Sequence, residues 1–270
     1  MRRLLPHARH RSLGPFVFFD HIGPAVLEGQ QPVAVRPHPH IGLATVTYLW
    51  EGAMMHRDSL GSVQEIAPGD VNWMTAGSGI VHSERTPERL AGVAHPFHGL
   101  QTWVALPLEH EEAGPAFAHH PRSSLPVLTQ PGVSITVVAG DAFGLQSPVR
   151  VLSQTLYASI ELDAGTSLVI PAEHAERGLY PVSGELQLDG SPLPLNALAV
   201  LDAGSEPTLR AVTPGRLMLL GGEPLDGPRF IWWNFVSSRR DRIEQAKADW
   251  AQGRFGAVPG ETEFIPLPES

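Results

Sequence analysis

Short apolar runs alternating with polar positions recur from one end of this chain to the other. "FVFFDH" (16–21), "ATVTYLW" (44–50), "DVNWMTA" (70–76), "GLQTWVAL" (99–106), "VSITVVAG" (133–140) and "TLYASIEL" (155–162) are rich in β-branched and aromatic residues. Such residues suit a pleated, half-buried surface. "SLVIP" (167–171), "GELQLDG" (184–190), "ALAVLDAG" (197–204) and "RLMLLGGE" (216–223) continue the pattern, and turn-forming clusters such as "GPA", "APGD", "GSG", "QPG" and "LDG" separate the runs. Many short strands punctuated this closely predict an all-β barrel or sandwich. One helix is expected, in "SSRRDRIEQAKADWAQGRF" (237–255), where Ile243, Ala246 and Trp250 share a face at i, i+3 and i+7. Ser237 or Ser238 can cap it and Gly253 suits its end. The arginines at its start oppose the helix dipole, so packing must hold this helix in place.

The two halves echo each other. "YLWEG" (48–52) and "YPVSG" (180–184) both read Tyr-x-x-x-Gly after a strand-like run. His38 and His40 precede Gly52 by the same offsets at which Ile170 and Ala172 precede Gly184. The echo predicts a repeated architecture whose second copy has lost its histidines, with a boundary near residue 135. The expected domains are therefore 1–134 and 135–270.

Composition narrows the picture. The chain has 270 residues, 42% hydrophobic and 17% charged, which is enough for a sizeable core in one large or two ordinary domains. A formal charge of -9 lacks the electrostatic footprint of a direct nucleic-acid binder. The basic cluster of Arg2, Arg3, Arg9 and Arg11 is short and reads as a solvated arm. Cysteine is absent, so disulfides, thiolate metal sites and thiol nucleophiles are excluded. No apolar run is long enough to span a bilayer. "MRRLLPHARHRS" has no sustained apolar stretch of the secretory kind, so the expected location is cytoplasmic.

Candidate chemistry lies in the histidines, of which there are 13. Most read as solvated, among them His7, His10, His110, His119 and His120, and His174 has no partner histidine nearby. "RPHPHIGLATVTYLWEG" (36–52) differs, because His38 and His40 flank Pro39. In an extended chain residues i and i+2 point to the same side, so His-x-His presents two imidazoles together. Pro39 removes a backbone donor and biases His38 toward the extended region. Forty-two residues later, His82 and Glu84 in "TAGSGIVHSE" (75–84) form a second i, i+2 pair behind a turn at Gly77 and Gly79. A lone His-x-His is ordinarily a pair of exposed strand residues. Two such pairs around a Pro68-Gly69-Asp70 turn point instead to three imidazoles and one carboxylate on one ion. That set suits Fe(II), Mn, Ni, Cu(II) or Zn and leaves positions free for substrate, water or dioxygen. Near them, His56 and Asp58 read either as a pocket-lining or supporting pair or as a solvated hairpin tip. Asp20 and His21 read as structural. Gln101 and Trp103 share a strand face that the sequence does not orient.

These segments carry a resemblance. "LGPFVFFDHIGP" (13–24), "HPHIGLATVTYLWEGAMMHRDSLG" (38–61), "APGDVNWMTAGSGIVHSE" (67–84) and "HGLQTWVALP" (98–107) are similar, in order, to the pirin family of the cupin superfamily. "WNFVSSRRDRIEQAKADW" (233–250) is similar to its bacterial members. The resemblance implies an all-β bicupin of two stacked antiparallel jelly-roll barrels with a C-terminal helix. It implies a metal-binding barrel in 1–134, and in 135–270 a metal-free barrel that carries the helix. It implies one divalent transition metal, iron(II) first, with Mn, Ni, Cu, Co or Zn as alternatives. The implied ligands are His38, His40, His82 and Glu84. General cupins place a glutamate four positions after the second histidine, where this chain has Ala44; the pirin pattern supplies Glu84 instead. The implied activity is that of a quercetin 2,3-dioxygenase, oxidative opening of a flavonol ring with release of carbon monoxide. Glu84 would then act as both ligand and catalytic base. The alternative the family implies is a non-enzymatic regulator, acting through partner proteins with the oxidation state of the metal as a switch.

Overall fold

The computed structural model describes residues 1–29 and 32–269, and the alternating runs form strands that pair in antiparallel fashion. The chain groups into two compact units. The first contains residues 1–3, 18–122 and 226–270, and the second residues 4–17 and 123–225. This grouping departs from contiguous halves divided at 134/135, because the chain returns to the first unit from residue 226. The reason is hydrophobic. The C-terminal segment buries Phe235, Ile243 and Ala246 in one cluster with Ile41.

Ten strands lead to and build the first unit: β1 (Arg2–Leu5), β2 (Phe16–Leu27), β3 (Ala34–His40), β4 (Leu43–Glu51), β5 (Met54–Asp58), β6 (Val63–Ile66), β7 (Val71–Thr75), β8 (Ile80–Arg85), β9 (His95–Ala105) and β10 (Ala116–His120). They form a six-stranded sheet in the order β1-β2-β9-β4-β7-β10 and a four-stranded sheet in the order β3-β8-β5-β6. Pairing sets Thr45 opposite Trp103 and Thr47 opposite Gln101. One face of this apparently apolar strand pair is therefore partly polar, and that face meets the four-stranded sheet. The expected solvated arm is instead ordered. Arg3 in β1 pairs with the buried carboxylate of Asp20, and its guanidinium lies over the Phe18 ring.

The helix α1 (Arg240–Ala251) is shorter than the periodicity predicted. Neither Ser237 nor Ser238 caps it; the N-cap is Arg239, with no side-chain capping bond. Ser238 instead donates its hydroxyl to Glu111. Packing holds the helix, with Ile243 and Ala246 buried as expected. Arg242, also buried, donates to Glu112 and to the backbone carbonyl of Ser78. That second bond ties α1 to the turn entering β8. Gly77 in this turn has φ +52, and a Cβ there would lie 1.9 Å from the Ala113 carbonyl oxygen, so only glycine fits.

The second unit is built on Val133–Ala142, Thr155–Leu162, Gly215–Gly222 and Glu176–Ser183, adjacent in that order in one sheet. A four-stranded sheet accompanies it, and the two share a core that includes Ile135, Ile160, Ile170, Leu179, Leu209 and Leu217. The echo between the halves is visible in the backbone, since Gly52 and Gly184 each follow a strand with φ +84. Ile170, at the offset of His38, is wholly buried in this apolar core, whereas Ala172, at the offset of His40, is exposed.

Candidate metal centre

β3 is an edge strand of the four-stranded sheet, and its pairing with β8 is irregular. Val35 opposes Glu84 and His38 opposes His82, with a register shift between Val35 and His38. A bulge of this kind re-aims side chains and is common beside functional sites. Beyond it the alternation holds, and His38 and His40 both point inward with Pro39 between them. β8 supplies His82 and Glu84 by the same alternation.

The ligand atoms of His38, His40 and His82 lie within 4.8 Å of one another, and all three rings are buried. Among the described residues no other group of three or more histidines or carboxylates converges in this way. His40 Nε2 is 3.2 Å from His82 Nε2. Two nitrogens each about 2.0–2.1 Å from one ion at octahedral or tetrahedral angles would be separated by roughly 2.8–3.4 Å, so the spacing suits a metal. The tautomers also fit. His38 Nδ1 is 2.9 Å from the Arg36 carbonyl oxygen, and His40 Nδ1 is 3.1 Å from that of Asn234. A carbonyl only accepts, so each Nδ1 carries the hydrogen and each neutral ring keeps a bare lone pair on Nε2.

His82 reaches the same state through a side-chain chain. Asp58, fully buried, accepts from the backbone N–H groups of Leu60 and Ser62 and from His56 Nε2 at 2.9 Å. His56 Nδ1 is then an acceptor, 3.4 Å from His82 Nδ1. That proton order leaves Nε2 of His82 bare. The His56 ring is stacked on Phe117, with centroids 4.2 Å apart, which fixes its plane. His56 and Asp58 are thus buried against His82 and are not a solvated hairpin tip.

Glu84 is buried beside this cluster without belonging to it. Its Oε1 accepts from Gln101 Nε2 at 3.2 Å, while Thr47 donates to Gln101 Oε1 at 3.0 Å. Burial raises the pKa of Glu84, against the opposing pull of His56 and of hydrogen bonds from Gln101 and Thr47. Trp103 meets His40 edge-on, with centroids 5.2 Å apart, and stacks on Phe18. Gln101 and Trp103 therefore face the candidate centre. Their i, i+2 spacing was legible, but their face depends on the register between β4 and β9. Asn234 carries no local signal at all, since it reaches His40 from 194 residues away.

Burial also keeps the imidazoles neutral. It pushes His38 down to about 4 although the Arg36 carbonyl pulls the other way, and it holds His40 and His82 well below the ordinary histidine value. Neutral rings are the ligand-competent form. Because the folded pKa of these groups lies below that of the unfolded chain, the unfolded state binds more protons between about pH 6.5 and 4. Metal-free protein should therefore keep its full stability above about pH 6.5 and lose it as pH falls toward 4. His38 alone accounts for on the order of 3 kcal/mol of that loss. Glu84 acts with the opposite sign, because its raised pKa favours protonation of the fold, but one carboxylate opposes three rings. Thermal denaturation of metal-free protein from pH 7.5 to 4.5 checks this; a constant midpoint would contradict burial of neutral imidazoles.

The remaining histidines are placed elsewhere. His7 and His10 are exposed and His110 is partly so. His119, expected to be solvated, is half-buried with Nδ1 2.8 Å from Asn72 Oδ1. His120 is also half-buried. His174 is buried against the Asp141 carbonyl oxygen at 3.0 Å. His21 lies against His98, with Nε2 atoms 2.7 Å apart.

Comparison with known proteins places this geometry in a family. The Pirin family model matches residues 1–104, and that of the Pirin C-terminal cupin domain matches residues 157–256. The chain is 50% identical to a pirin-like protein of Caulobacter vibrioides, over 99% of this chain and 93% of that protein. It is 31% identical to Homo sapiens pirin, over 95% of this chain and 88% of the human protein. A crystal structure of quercetin 2,3-dioxygenase from Acinetobacter baumannii superposes with a TM-score of 0.92 at 36% identity, covering 99% of this chain and 89% of that one.

Proposed function

The chain belongs to the pirin family and has its two-domain all-β cupin fold, and from that premise we propose that it is a metal-dependent dioxygenase. Its substrate class is a small aromatic hydroxyl compound such as a flavonol, with dioxygen as co-substrate. Support comes from the likeness to a structure described as quercetin 2,3-dioxygenase. The observation that carries the reading is local. Three ligand-ready imidazoles converge beside a buried carboxylate that an amide and a hydroxyl hold. One divalent transition metal, iron(II) in this proposal, would be held by His38, His40, His82 and Glu84.

When bound, the ion supplies Lewis acidity toward a substrate hydroxyl and access to dioxygen chemistry. The protein groups do the rest. Glu84 accepts the proton of the substrate hydroxyl, a task for which a buried carboxylate of raised proton affinity is suited. Gln101 orients that carboxylate through its amide, and Thr47 orients Gln101. Asp58 and His56 hold His82 in one tautomer. Trp103 and Phe117 cover neighbouring rings with apolar surface and exclude water from them. Both atoms of dioxygen enter the products, an opened ring ester and carbon monoxide, so no external reductant is required.

The test joins elemental analysis of protein purified from its own host with oxygen uptake on a panel of flavonols. One metal per chain and flavonol-dependent uptake are expected. Absence of metal would overturn the site. Metal without uptake would overturn the oxygenase reading and leave the regulator that acts through partner proteins.

A further inference from the structure

Of the two strands that carry the imidazoles, β8 is paired on both sides but β3 is poorly secured by their sheet. β3 is an edge strand, it is bulged between Val35 and His38, and Pro37 and Pro39 have no N–H to donate. Space also remains in the packing behind the strand pair. Pro37 and Val81, the chain neighbours of His38 and His82, line an open cavity of about 690 Å³ together with Trp250, Phe255 and Leu267.

Residues after α1 supply what the sheet lacks. The backbone N–H of Ile265 donates to the Pro37 carbonyl at 2.8 Å, and the Trp250 indole donates to the Ile265 carbonyl at 2.9 Å. On β8 the outward side chains are Ser83 and Arg85, which flank Glu84. Both converge on one carboxylate. Ser83 Oγ donates to Glu261 Oε1 at 2.5 Å, and Arg85 Nε lies 3.1 Å from each Glu261 oxygen, with a second guanidinium nitrogen also bonded. Ser83 is fully buried, and the Glu261 side chain is only 8% exposed. Arg85 holds the Glu261 carboxyl below the usual carboxylate range, so it is charged near neutrality. One buried carboxylate therefore grips β8 on both sides of Glu84, while Ile265, four residues further along the chain, anchors β3 beside His38.

We infer that Glu261 is a positioning residue for the metal centre, and that the C-terminal segment it belongs to clamps β3 and β8 from behind so that their inward ligands hold one geometry. The inference rests on the proposed metal site but not on the reaction assigned to it. Groups that hydrogen-bond a metal ligand directly contribute about 10- to 100-fold to metal affinity, and Glu261, acting through the neighbours of Glu84, is expected at the low end of that range.

Cobalt(II) is a suitable probe, because its visible absorption reports ligand geometry without turnover. Glu261→Ala should bind Co(II) at least about 10-fold more weakly in chelator competition, with shifted visible bands. Glu261→Gln keeps the size and the acceptor for Ser83 but loses the charge, and should fall between Glu261→Ala and wild type; it carries the test if Glu261→Ala does not fold. Glu263→Gln is the control, since that side chain is 58% exposed and 3.8 Å from Arg85. A purely structural role would lower the melting temperature of the metal-free variants and leave affinity and spectrum unchanged. Wild-type affinity and spectrum in both Glu261 variants overturn the inference. Wild-type protein that binds no cobalt overturns the metal reading, and this inference falls with it.

Discussion

His40→Ala protein should be purified without its metal. His40 is the imidazole with the strongest constraints. Its Nδ1 is tied to Asn234, its Nε2 lies 3.2 Å from that of His82, and Trp103 packs its edge against the ring. A protein site for a divalent ion binds with about 10–16 kcal/mol in the best-measured zinc cases. Shared over four ligands, that is roughly 3 kcal/mol each, so one lost imidazole weakens binding on the order of 10²- to 10³-fold. Chelator competition on refilled protein, together with elemental analysis as purified, measures it. His174→Ala is the matched control, a buried histidine of the second unit hydrogen-bonded to Asp141, and its metal content should equal wild type. Retention of stoichiometric metal by His40→Ala would exclude this cluster as the metal centre.

Glu84→Gln separates the two roles given to that carboxylate. The substitution is nearly isosteric, and its amide oxygen can still accept from Gln101, so the local hydrogen-bonded arrangement survives. The negative charge and the basicity do not. Some metal should remain on the three imidazoles, more weakly held. Oxygen uptake with a flavonol should fall about 10²- to 10⁴-fold, the range in which a positioned general base acts. The measurement is turnover per bound metal, which removes the effect of occupancy. A variant with reduced metal but wild-type turnover per ion would leave Glu84 as a ligand and exclude it as the base.

The legible and illegible parts of this centre divide by distance along the chain. The pairs His38/His40 and His82/Glu84 declare themselves because extended backbone repeats every two residues, whatever surrounds it. The turn at Gly77 and the apolar face of α1 are read on equally local grounds, glycine's freedom at positive φ and the 3.6-residue helical period. Ser238 does not cap the helix because it has a better partner, Glu111, 127 residues away. Arg3 looked like part of a solvated arm because Asp20 and Phe18, which engage it, are not its sequence neighbours. His56 and Asp58 were visible as a pair, but their burial against His82 depends on β5 pairing with β8.

The amino-acid sequence by itself determined the all-β character, the repeated design, the four candidate ligands and their inward pairing. The all-β character and the inward pairing follow from backbone preference and two-residue alternation, the repeat from the Tyr-x-x-x-Gly echo, and the ligand set from the two i, i+2 pairs together with the family resemblance. Only the tertiary structure decided that Gln101 holds Glu84, that Asn234 and Asp58 set imidazole tautomers, and that residues after 226 group with the first unit and brace its ligand strands. Those contacts join positions far apart in the chain. They are fixed by strand register and by which surfaces bury one another, and both are properties of the whole folded chain that no local pattern encodes.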